Sequence, residues 1–539
     1  MAARSRRRPS EASFYPPAMP EPADADASLQ RPWVLLDKKA YIAKCENATT
    51  ARAPSSGGHK VQVSFCLADP PALSYLCVHC PGPEGHRRDG GFSSEPLVAA
   101  AEGAFVLISV RFNFGPRPFC YDSGTREYFV YRAGPGKPWL GSLPQYIESA
   151  IKPCQFGILP IGSDDGKRGF VVAALVPLLK PGHVPVPGKP LELVRFSSAM
   201  RRWYTMAPRL DPSCGNNNKV WSHETAKVIV LGGGFLGWVD LWRGILVCNV
   251  LDEHPVVSFI PLPKTTVPKV WKSYPWLIRD VTSCKNLLSF VEIQIPKTRY
   301  DDLPSSYWEY QLISDSDSDS DSDSPSDLDT TGSSSISHGW RATKYERTLF
   351  TPSSCWRRDC NIGSADILHG EPSCYLMLPQ LRDAKTGKLT LDNLNSSAPV
   401  LTMHDDGVVY MMSTTKNTNV QESWVAAFDL RKNALKKLAP CYARRTFSVH
   451  ATYSPCSFSK YFDRVPGKHY ETLEELYGFV LFCMRCCKTC AALEFPLLNY
   501  LLTNRKKTLV IIKYLHVCDF GMANLGLGSC ERSLSTSLL

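Results

Sequence analysis

The chain has 539 residues, enough for one very large domain or several ordinary ones. Its hydrophobic content of 44%, with 11% aromatic residues, is sufficient for a real core. The formal net charge is +10, and ten acidic residues but no Lys or Arg lie between Arg299 and Arg341. The body is therefore mildly basic, with one acidic insert. Such a diffuse excess is more typical of a solvated surface than of a nucleic-acid interface.

Proline and cysteine usage narrow the class of protein further. The 42 prolines outnumber the 35 glycines, which favours short β-strands over long helices. The 20 cysteines are irregularly spaced, and the N-terminus has no apolar segment typical of a secretion signal. We therefore expect reduced thiols in an intracellular protein, in the cytoplasm or nucleus. No apolar run is long enough to cross a membrane, so we predict no membrane span.

Residues 1–30 are rich in proline, alanine, serine and charge, and we expect a disordered tail there. Strand-like runs begin at Trp33. Each of them is a short apolar or β-branched segment bounded by turn residues. The predicted strands that follow are Val61–Leu67, Leu73–Val78, Phe105–Val110, Tyr128–Tyr131, Phe170–Val176 and Leu191–Phe196.

A short closing pattern, a small or apolar residue followed by proline, recurs after groups of these runs. Its copies are Leu143-Pro144, Ala207-Pro208, Leu262-Pro263, Leu378-Pro379 and Ala439-Pro440. They lie about 60 residues apart, or about twice that, which is the spacing of β-propeller blades with long loops. The sequence therefore predicts a mainly β, propeller-like domain over 31–465, with six or seven blades of short antiparallel strands.

The most densely patterned segment begins at Gly232, where Gly232–Gly237 fits the dinucleotide-binding pattern G-x-G-x-x-G. That pattern needs a helix next, whose N-terminus holds the pyrophosphate. A second strand-like run follows instead, so we predict a glycine turn over Gly232–Gly237. The strands predicted after it are Trp238–Asp240, Ile245–Val250 and Val256–Ile260. Asp240 and Arg243 could form a charged binding feature, but a turn is the simpler interpretation. In such a turn the aspartate caps backbone N–H groups, and the arginine stacks on a tryptophan or pairs with Asp240.

The acidic insert centres on Ser314–Asp329, where serine and aspartate alternate. Like charges repel and such a sequence buries nothing, so we predict a disordered loop over 314–335. If the loop bridges two blades, a closing pattern that is missing near residue 321 falls inside it. Its acidic context suits phosphorylation, although a solvated spacer is the simpler interpretation. The candidate sites are Ser314, Ser316, Ser318 and Ser320.

Two cysteine motifs are candidate metal sites. Cys77 and Cys80 form a C-x-x-C with His79 between them, but only His86 is nearby, so strand cysteines are the simpler interpretation. The second motif is a weak candidate, formed by Cys483, Cys486, Cys487 and Cys490. It lies in an atypical C-terminal tail, 466–539, which shows no clear period and whose fold is in doubt. We predict no catalytic residue, no cofactor and no metal.

The chain resembles the plant family of domain of unknown function 1618. The signature is Leu236–Gly244, within which Gly237, Trp238, Asp240, Trp242, Arg243 and Gly244 have a structural role. Arg279–Val281 and Phe290–Glu292 also fit the family. The resemblance implies a named domain near 236–380 and a propeller-like fold, and it supplies no catalytic residue. Some relatives carry an F-box, which residues 1–30 are too short and polar to form.

From these observations we expect a non-enzymatic β scaffold that binds a protein or peptide, with an unknown partner and an unknown oligomeric state. An enzyme with a site in the central channel of the propeller is one alternative, and a weak nucleic-acid binder is another. Converging charged residues in a pocket would favour the enzyme, and an exposed apolar face would favour the scaffold.

Overall fold

The structure is a computed structural model. The residues it describes are 9–17, 31–81, 91–112, 125–134, 136–146, 151–162, 169–180, 184–185, 191–215, 220, 222–265, 275–295, 339–349, 351, 355–382, 387–391, 394–404, 407–415, 423–441 and 453–462. These residues form six small, mainly antiparallel sheets arranged in a ring, which is a six-bladed β-propeller. The predicted fold class is confirmed.

The first three blades follow one another along the chain. Blade 1 contains β1 (Val34–Asp37), β2 (Tyr41–Ile42), β3 (Ala51–Pro54), β4 (Lys60–Cys66) and β5 (Leu73–His79). Blade 2 contains β6 (Leu97–Glu102), β7 (Phe105–Phe112), β8 (Thr125–Arg132) and β9 (Trp139–Ser142). Blade 3 contains β10 (Phe156–Ile161), β11 (Gly169–Pro177), β14 (Leu191–Ser197) and β15 (Arg202–Met206), with a small hairpin of β12 (Leu179–Lys180) and β13 (Val184–Pro185) between its second and third strands.

The last three blades repeat the meander. Blade 4 contains β16 (Arg209–Leu210), β17 (Lys227–Gly232), β18 (Phe235–Asp240), β19 (Gly244–Asn249) and β20 (Val256–Pro261). Blade 5 contains β21 (Arg279–Cys284), β22 (Leu287–Gln294), β23 (Arg341–Thr348) and β24 (Arg357–Gly363). Blade 6 contains β25 (His369–Gly370), β26 (Leu394–Leu401), β27 (Val408–Thr415), β28 (Ser423–Asp429) and β29 (Ala434–Cys441).

Helices are short throughout the described residues. One α-helix, α1 (Pro372–Met377), packs against β29. The 3-10 helices are Glu11–Phe14, Pro153–Gln155, Pro212–Cys214, Pro275–Leu277, Ser364–Asp366, Pro379–Leu381 and Phe458–Tyr461. Within the described ranges, no helix has both the length and the apolar character needed to cross a bilayer.

Burial of both strand faces explains the apolar runs in the sequence. In β11, Phe170, Val172 and Ala174 pack into a core with blade 2. The intervening residues Val171 and Ala173 face the other way, into a core with blade 4. Because successive side chains point to opposite faces, a strand between two neighbouring blades must be apolar at nearly every position. Six such cores lie between successive blades around the ring.

The two ends of the propeller meet in blade 1. Strand β30 (Tyr453–Cys456) pairs antiparallel with β1, in register from Val34 opposite Cys456 to Asp37 opposite Tyr453. Strand β1 also pairs in parallel with β5. Just beyond β1, the carbonyl of Lys38 accepts a hydrogen bond of 2.7 Å from the N–H of Val98 in blade 2. The ring is therefore closed by hydrogen bonds between the first and last strands.

The predicted closing patterns mark the ends of most blades. Leu143-Pro144, Ala207-Pro208 and Leu262-Pro263 lie at or directly after the last strands of blades 2, 3 and 4, and Ala439-Pro440 lies inside β29. Leu378-Pro379 differs, because it follows α1 rather than a strand.

The acidic insert does not separate two blades. Residues 296–338, which are outside the described residues, connect β22 and β23 of the same sheet. The expectation that a closing pattern is hidden near residue 321 was therefore wrong. An insertion within blade 5 lengthens the spacing there to about twice the usual period.

Candidate functional site

The signature turn after β18 is built around Asp240, which is 2% exposed. Its Oδ1 accepts hydrogen bonds from the N–H groups of Trp242 (2.8 Å) and Arg243 (3.1 Å). Its Oδ2 accepts one from the N–H of Glu224 (3.0 Å) and one from Nη1 of Arg243 (2.9 Å). Four donors thus compensate the buried carboxylate, and its contacts are those of a turn-forming residue.

The glycines of the signature allow close packing. Gly244 pairs with both Asp240 and Pro261, and a Cβ at this position would lie 2.5 Å from the ring of Phe259. Gly237 lies inside β18, where a Cβ would lie 2.9 Å from Cγ2 of Ile245. The predicted turn over Gly232–Gly237 is therefore too long, since the left-handed turn residues are Gly232, Gly233 and Gly234 and β18 begins directly after them.

Trp238 links blades 3 and 4. Its side chain is fully buried, and its Nε1 donates a hydrogen bond of 2.9 Å to the carbonyl of Gln155. That residue lies just before β10, the first strand of blade 3. Trp238 of the signature therefore holds blades 3 and 4 together. Strand β18 follows the glycines at the position where a dinucleotide-binding motif would have a helix.

A buried ion pair within blade 5 also contacts blade 4. Nε of Arg279 donates a hydrogen bond of 2.7 Å to Oε2 of Glu292, and Nη1 donates one of 2.8 Å to the carbonyl of Leu241. The guanidinium also lies over the ring of Trp242, 4.5 Å from its centroid. Burial lowers the pKa of Arg279, and the Glu292 carboxylate opposes that change. Such a pair is tolerated because every partner is hydrogen-bonded.

A second ion pair lies beside it, among the inner strands. Nζ of Lys227 is 2.5 Å from Oδ1 of Asp280, and Oδ2 of Asp280 accepts a hydrogen bond of 2.9 Å from the N–H of Leu401. These three residues belong to blades 4, 5 and 6. One carboxylate thus connects three blades.

Lys38 adds charge from blade 1 to this cluster. Burial lowers its pKa to about 8, and the nearby Lys227 ammonium acts in the same direction. Asp280 and Cys154 oppose the change. Cys154 lies just before β10, and its thiol donates to the carbonyl of Thr225 at 3.4 Å. Because its pKa is lowered, a larger fraction of Lys38 is neutral near neutral pH than of an ordinary lysine.

The space beside these charges is small. A cleft of about 20 Å³ is lined by Lys227, Arg279, Asp280 and Tyr453, among others. That volume holds about one water molecule, whereas pockets for small molecules have about 300–1,000 Å³. The converging charges therefore fill this cleft with ion pairs and leave no room for a substrate in it.

Three cysteines meet on the other face of blade 1. The Sγ atoms of Cys45, Cys66 and Cys77 all lie within 4.8 Å of one another, and those of Cys45 and Cys66 are 3.9 Å apart. The hydrogen bond with Cys77 lowers the pKa of Cys66 to about 6, whereas burial raises that of Cys45 to about 11. Sequence analysis missed this cluster, because Cys45 and Cys66 belong to no short motif.

The C-x-x-C motif of β5 does not bring its own cysteines together. Cys77 joins the thiol cluster, whereas Cys80 is buried in the core between blades 1 and 2. Residues three positions apart in an extended chain point to opposite faces, so Cys77 and Cys80 cannot bind one ion. The other site predictions lie outside the described residues. They are His86, Cys483, Cys486, Cys487, Cys490, Ser314, Ser316, Ser318 and Ser320.

The outer edge of blade 6 exposes apolar side chains. Leu376 and Met377 of α1 are 84% and 47% exposed, and Leu368, just before β25, is 64% exposed. Basic residues lie next to them. The Arg382 guanidinium is over the ring of Tyr375 in α1, and the N–H of Leu368 donates to the carbonyl of Asn433, which follows Lys432. We call Leu368, Leu376 and Met377 the blade 6 patch.

Replacing the buried Asp240 tests its structural role. We expect Asp240→Ala to lower the free energy of unfolding by about 2–4 kcal/mol, because several buried donors lose their acceptor. Asp240→Asn keeps one acceptor oxygen and should lose less. Asp252→Ala is the matched control, since exposed Asp252 also accepts a backbone N–H two residues on. Guanidinium unfolding followed by tryptophan fluorescence measures the loss, and equal effects of Asp240→Ala and Asp252→Ala would contradict the assignment.

The lowered pKa of Lys38 predicts a specific pH dependence. Between about pH 8 and the ordinary pKa of 10.5, the unfolded chain binds more protons at this lysine than the folded chain does. The contribution of Lys38 to the free energy of unfolding therefore rises with pH across that window, by up to about 3 kcal/mol. The free energies of unfolding of the wild type and of Lys38→Met are measured from pH 7 to 10.5. As the pH rises, the value for the wild type should increase relative to that for Lys38→Met.

Exposed Lys60, on β4, provides the control for that measurement. Lys60→Met should follow the pH profile of the wild type. If Lys38→Met gives the same profile as Lys60→Met, Lys38 does not titrate abnormally in the folded protein.

Comparison with solved structures gives only distant likenesses. A glycosyl hydrolase from Bacteroides ovatus is 10% identical, with 63% of this chain and 85% of that chain covered and a TM-score of 0.25. A hypothetical selenium-binding protein from Sulfolobus tokodaii is 11% identical, with 74% of each chain covered and a TM-score of 0.27. Similarity at this level supports no conclusion about activity. Among curated proteins, none matches the sequence.

A family model gives a clearer result. Residues 238–410 match the family described as "Protein of unknown function (DUF1618)". The match begins at Trp238 of the signature and runs into β27, beyond the predicted end near residue 380. It includes the pairs of Arg279 with Glu292 and of Asp280 with Leu401. Residues 238–410 are therefore similar to the family of domain of unknown function 1618.

Proposed function

We propose that residues 31–465 form a non-enzymatic scaffold that binds a peptide segment of a partner protein at the blade 6 patch. The observation that carries this proposal is the exposure of Leu368 and Leu376 close together in the chain. Isolated exposed leucines are ordinary, but several together on one edge are typical of an interaction surface.

The surroundings of the patch suggest what the partner segment looks like. Arg382, Lys388, Lys432 and Lys437 are all exposed on blade 6. Basic residues around apolar ones favour a ligand with apolar side chains flanked by acidic ones. The partner is thus an acidic, apolar peptide segment.

The central cleft supports a scaffold more than an enzyme. An enzyme in the channel would need a pocket that excludes water and holds a substrate. The cleft of about 20 Å³ beside Lys227 and Asp280 offers neither. The lowered pKa of Lys38 is the one observation that favours an enzyme, and burial together with the nearby Lys227 ammonium explains it without a substrate.

The scaffold is proposed to act inside the cell, in the cytoplasm or nucleus. The basis is the irregular spacing of the 20 cysteines, which suits reduced thiols rather than a secreted disulfide framework. The family resemblance is the basis for proposing a plant source.

Replacing the blade 6 patch tests the proposal. The full chain and its Leu368→Ser/Leu376→Ser variant are used as bait in quantitative affinity purification, followed by binding assays with acidic, apolar peptides from each recovered partner. Because the apolar contacts are lost, we expect peptide affinity to fall at least about tenfold. The matched control is Met200→Ser/Leu251→Ser, which removes two exposed apolar side chains from blades 3 and 4.

The supporting result is a partner whose peptide binds the wild type and the control but not the patch variant. Equal binding by all three proteins, or no reproducible partner, would contradict the proposal.

A further inference from the structure

A cluster of three thiols lies on the face of blade 1 that points away from blade 2. In β4, Val61, Val63 and Phe65 enter the core with blade 2, so Cys66 faces the other way. In β5, Leu76 and Val78 enter that core, so Cys77 also faces away from it. Strand alternation therefore places thiols from two neighbouring strands on one surface.

The third thiol comes from the loop after β2, and hydrogen bonds fix this loop to β4. The carbonyl of Cys45 accepts hydrogen bonds from Nε2 of Gln62 (2.7 Å) and Oγ of Ser64 (2.5 Å). Nδ2 of Asn47 donates to the carbonyl of Phe65 at 2.9 Å. The backbone of Cys45 is therefore held in place independently of its thiol.

We propose that Cys45, Cys66 and Cys77 form a binding site for a single thiophilic d10 cation, of the class of Cu(I) or Zn²⁺. In sites with metal–sulfur bonds of about 2.3 Å, ligand sulfurs lie about 3.8–4.0 Å apart. The Cys45 and Cys66 sulfurs are 3.9 Å apart, and all three lie within 4.8 Å of one another. Small side-chain rotations are thus sufficient to bring the three sulfurs around one ion.

The donor set selects the ion. Three sulfur ligands favour soft cations over Mg²⁺ or Ca²⁺, which prefer oxygen. No fourth histidine, cysteine or carboxylate joins the cluster among the described residues. Cu(I), which accepts three thiolates, therefore suits the site better than Zn²⁺, which would take a fourth ligand from solvent. Half-buried Cys45 gives the ion a route of entry.

One neighbour of the cluster favours a thiolate at Cys45, against the burial that raises the pKa of this thiol. Nδ2 of Asn47 lies 3.9 Å from Sγ of Cys45, where it stabilises charge on that sulfur. On binding, each sulfur donates an electron pair to the ion, and each thiol that is still protonated releases its proton to solvent. No electron is transferred in this step.

The test uses the full chain with the four cysteines of the second cysteine motif replaced (Cys483→Ser, Cys486→Ser, Cys487→Ser and Cys490→Ser), so that this motif does not compete for metal. The reduced protein is titrated separately with Cu(I) and with Zn²⁺ against a competing chelator. A parallel titration with Cd²⁺ follows the ultraviolet sulfur-to-metal charge-transfer band. We expect one equivalent to bind, Cu(I) more tightly than Zn²⁺, and the thermal midpoint to rise with metal.

Cys45→Ser in that background should weaken metal affinity at least about a hundredfold and abolish the rise in thermal midpoint. Cys355→Ser, which replaces an exposed cysteine elsewhere, should bind like its parent. Because Cys45 is half-buried and its loop is held by backbone contacts, circular dichroism of metal-free Cys45→Ser should match the parent.

Three results would overturn the proposal. One is the absence of stoichiometric binding by the parent. Another is equal affinity of Cys45→Ser and Cys355→Ser. The third is a Cys45–Cys66 disulfide that persists under the reducing conditions and prevents binding, which would make the cluster a redox pair.

Discussion

The pairing of β1 with β30 is the interaction on which the rest of the propeller depends. It joins residues 34–37 to 453–456, so the first and last strands of the described residues share one sheet. Each other blade is formed by one continuous segment of the chain. Blade 1 is the exception, and its completion converts a row of sheets into a ring. Without it, blades 1 and 6 would each expose one apolar face to water.

The segment after β30 also contributes contacts that close the ring. Phe458 and Phe462 join the core between blades 1 and 2, and the ring centroids of Phe458 and Phe65 are 4.7 Å apart. Oγ of Ser459 donates to the carbonyl of Arg31 at 3.0 Å. The core between blades 6 and 1 is smaller, with Leu35 and Tyr453 among its buried residues. Because this core is small, the hydrogen bonds of the β1–β30 pair contribute most to stability where blades 6 and 1 meet.

Charge is used inside the ring for joining blades. Asp240 fixes a turn, Arg279 of blade 5 donates to the carbonyl of Leu241 in blade 4, and Asp280 connects blades 4, 5 and 6. Buried ion pairs contribute less to stability than apolar contacts would, but they fix one geometry, because a misplaced partner leaves a charge unpaired. Trp238, Asp240 and Arg279 accordingly lie at turns and blade junctions.

Much of the fold was predictable from the sequence. Strands that are buried on both faces appear in the sequence as apolar runs, of which Phe170–Val176 is one. The closing prolines indicated where several blades end. Sequence reasoning misplaced the acidic insert, because nothing local distinguishes a loop within a sheet from a loop between sheets. Lys38 and the thiol cluster could not be predicted. Cys45, Cys66 and Cys77 meet only after three segments of blade 1 have been brought into register.

Native-state amide hydrogen exchange of the full chain tests ring closure most directly. If β1 and β30 close the ring, their amides should exchange only when the propeller opens as a whole, with the same opening free energy as the interior amides of β7 and β11. Fast exchange at Tyr453–Cys456, while β7 and β11 stay protected, would show that the ring does not depend on this pair and would contradict the account.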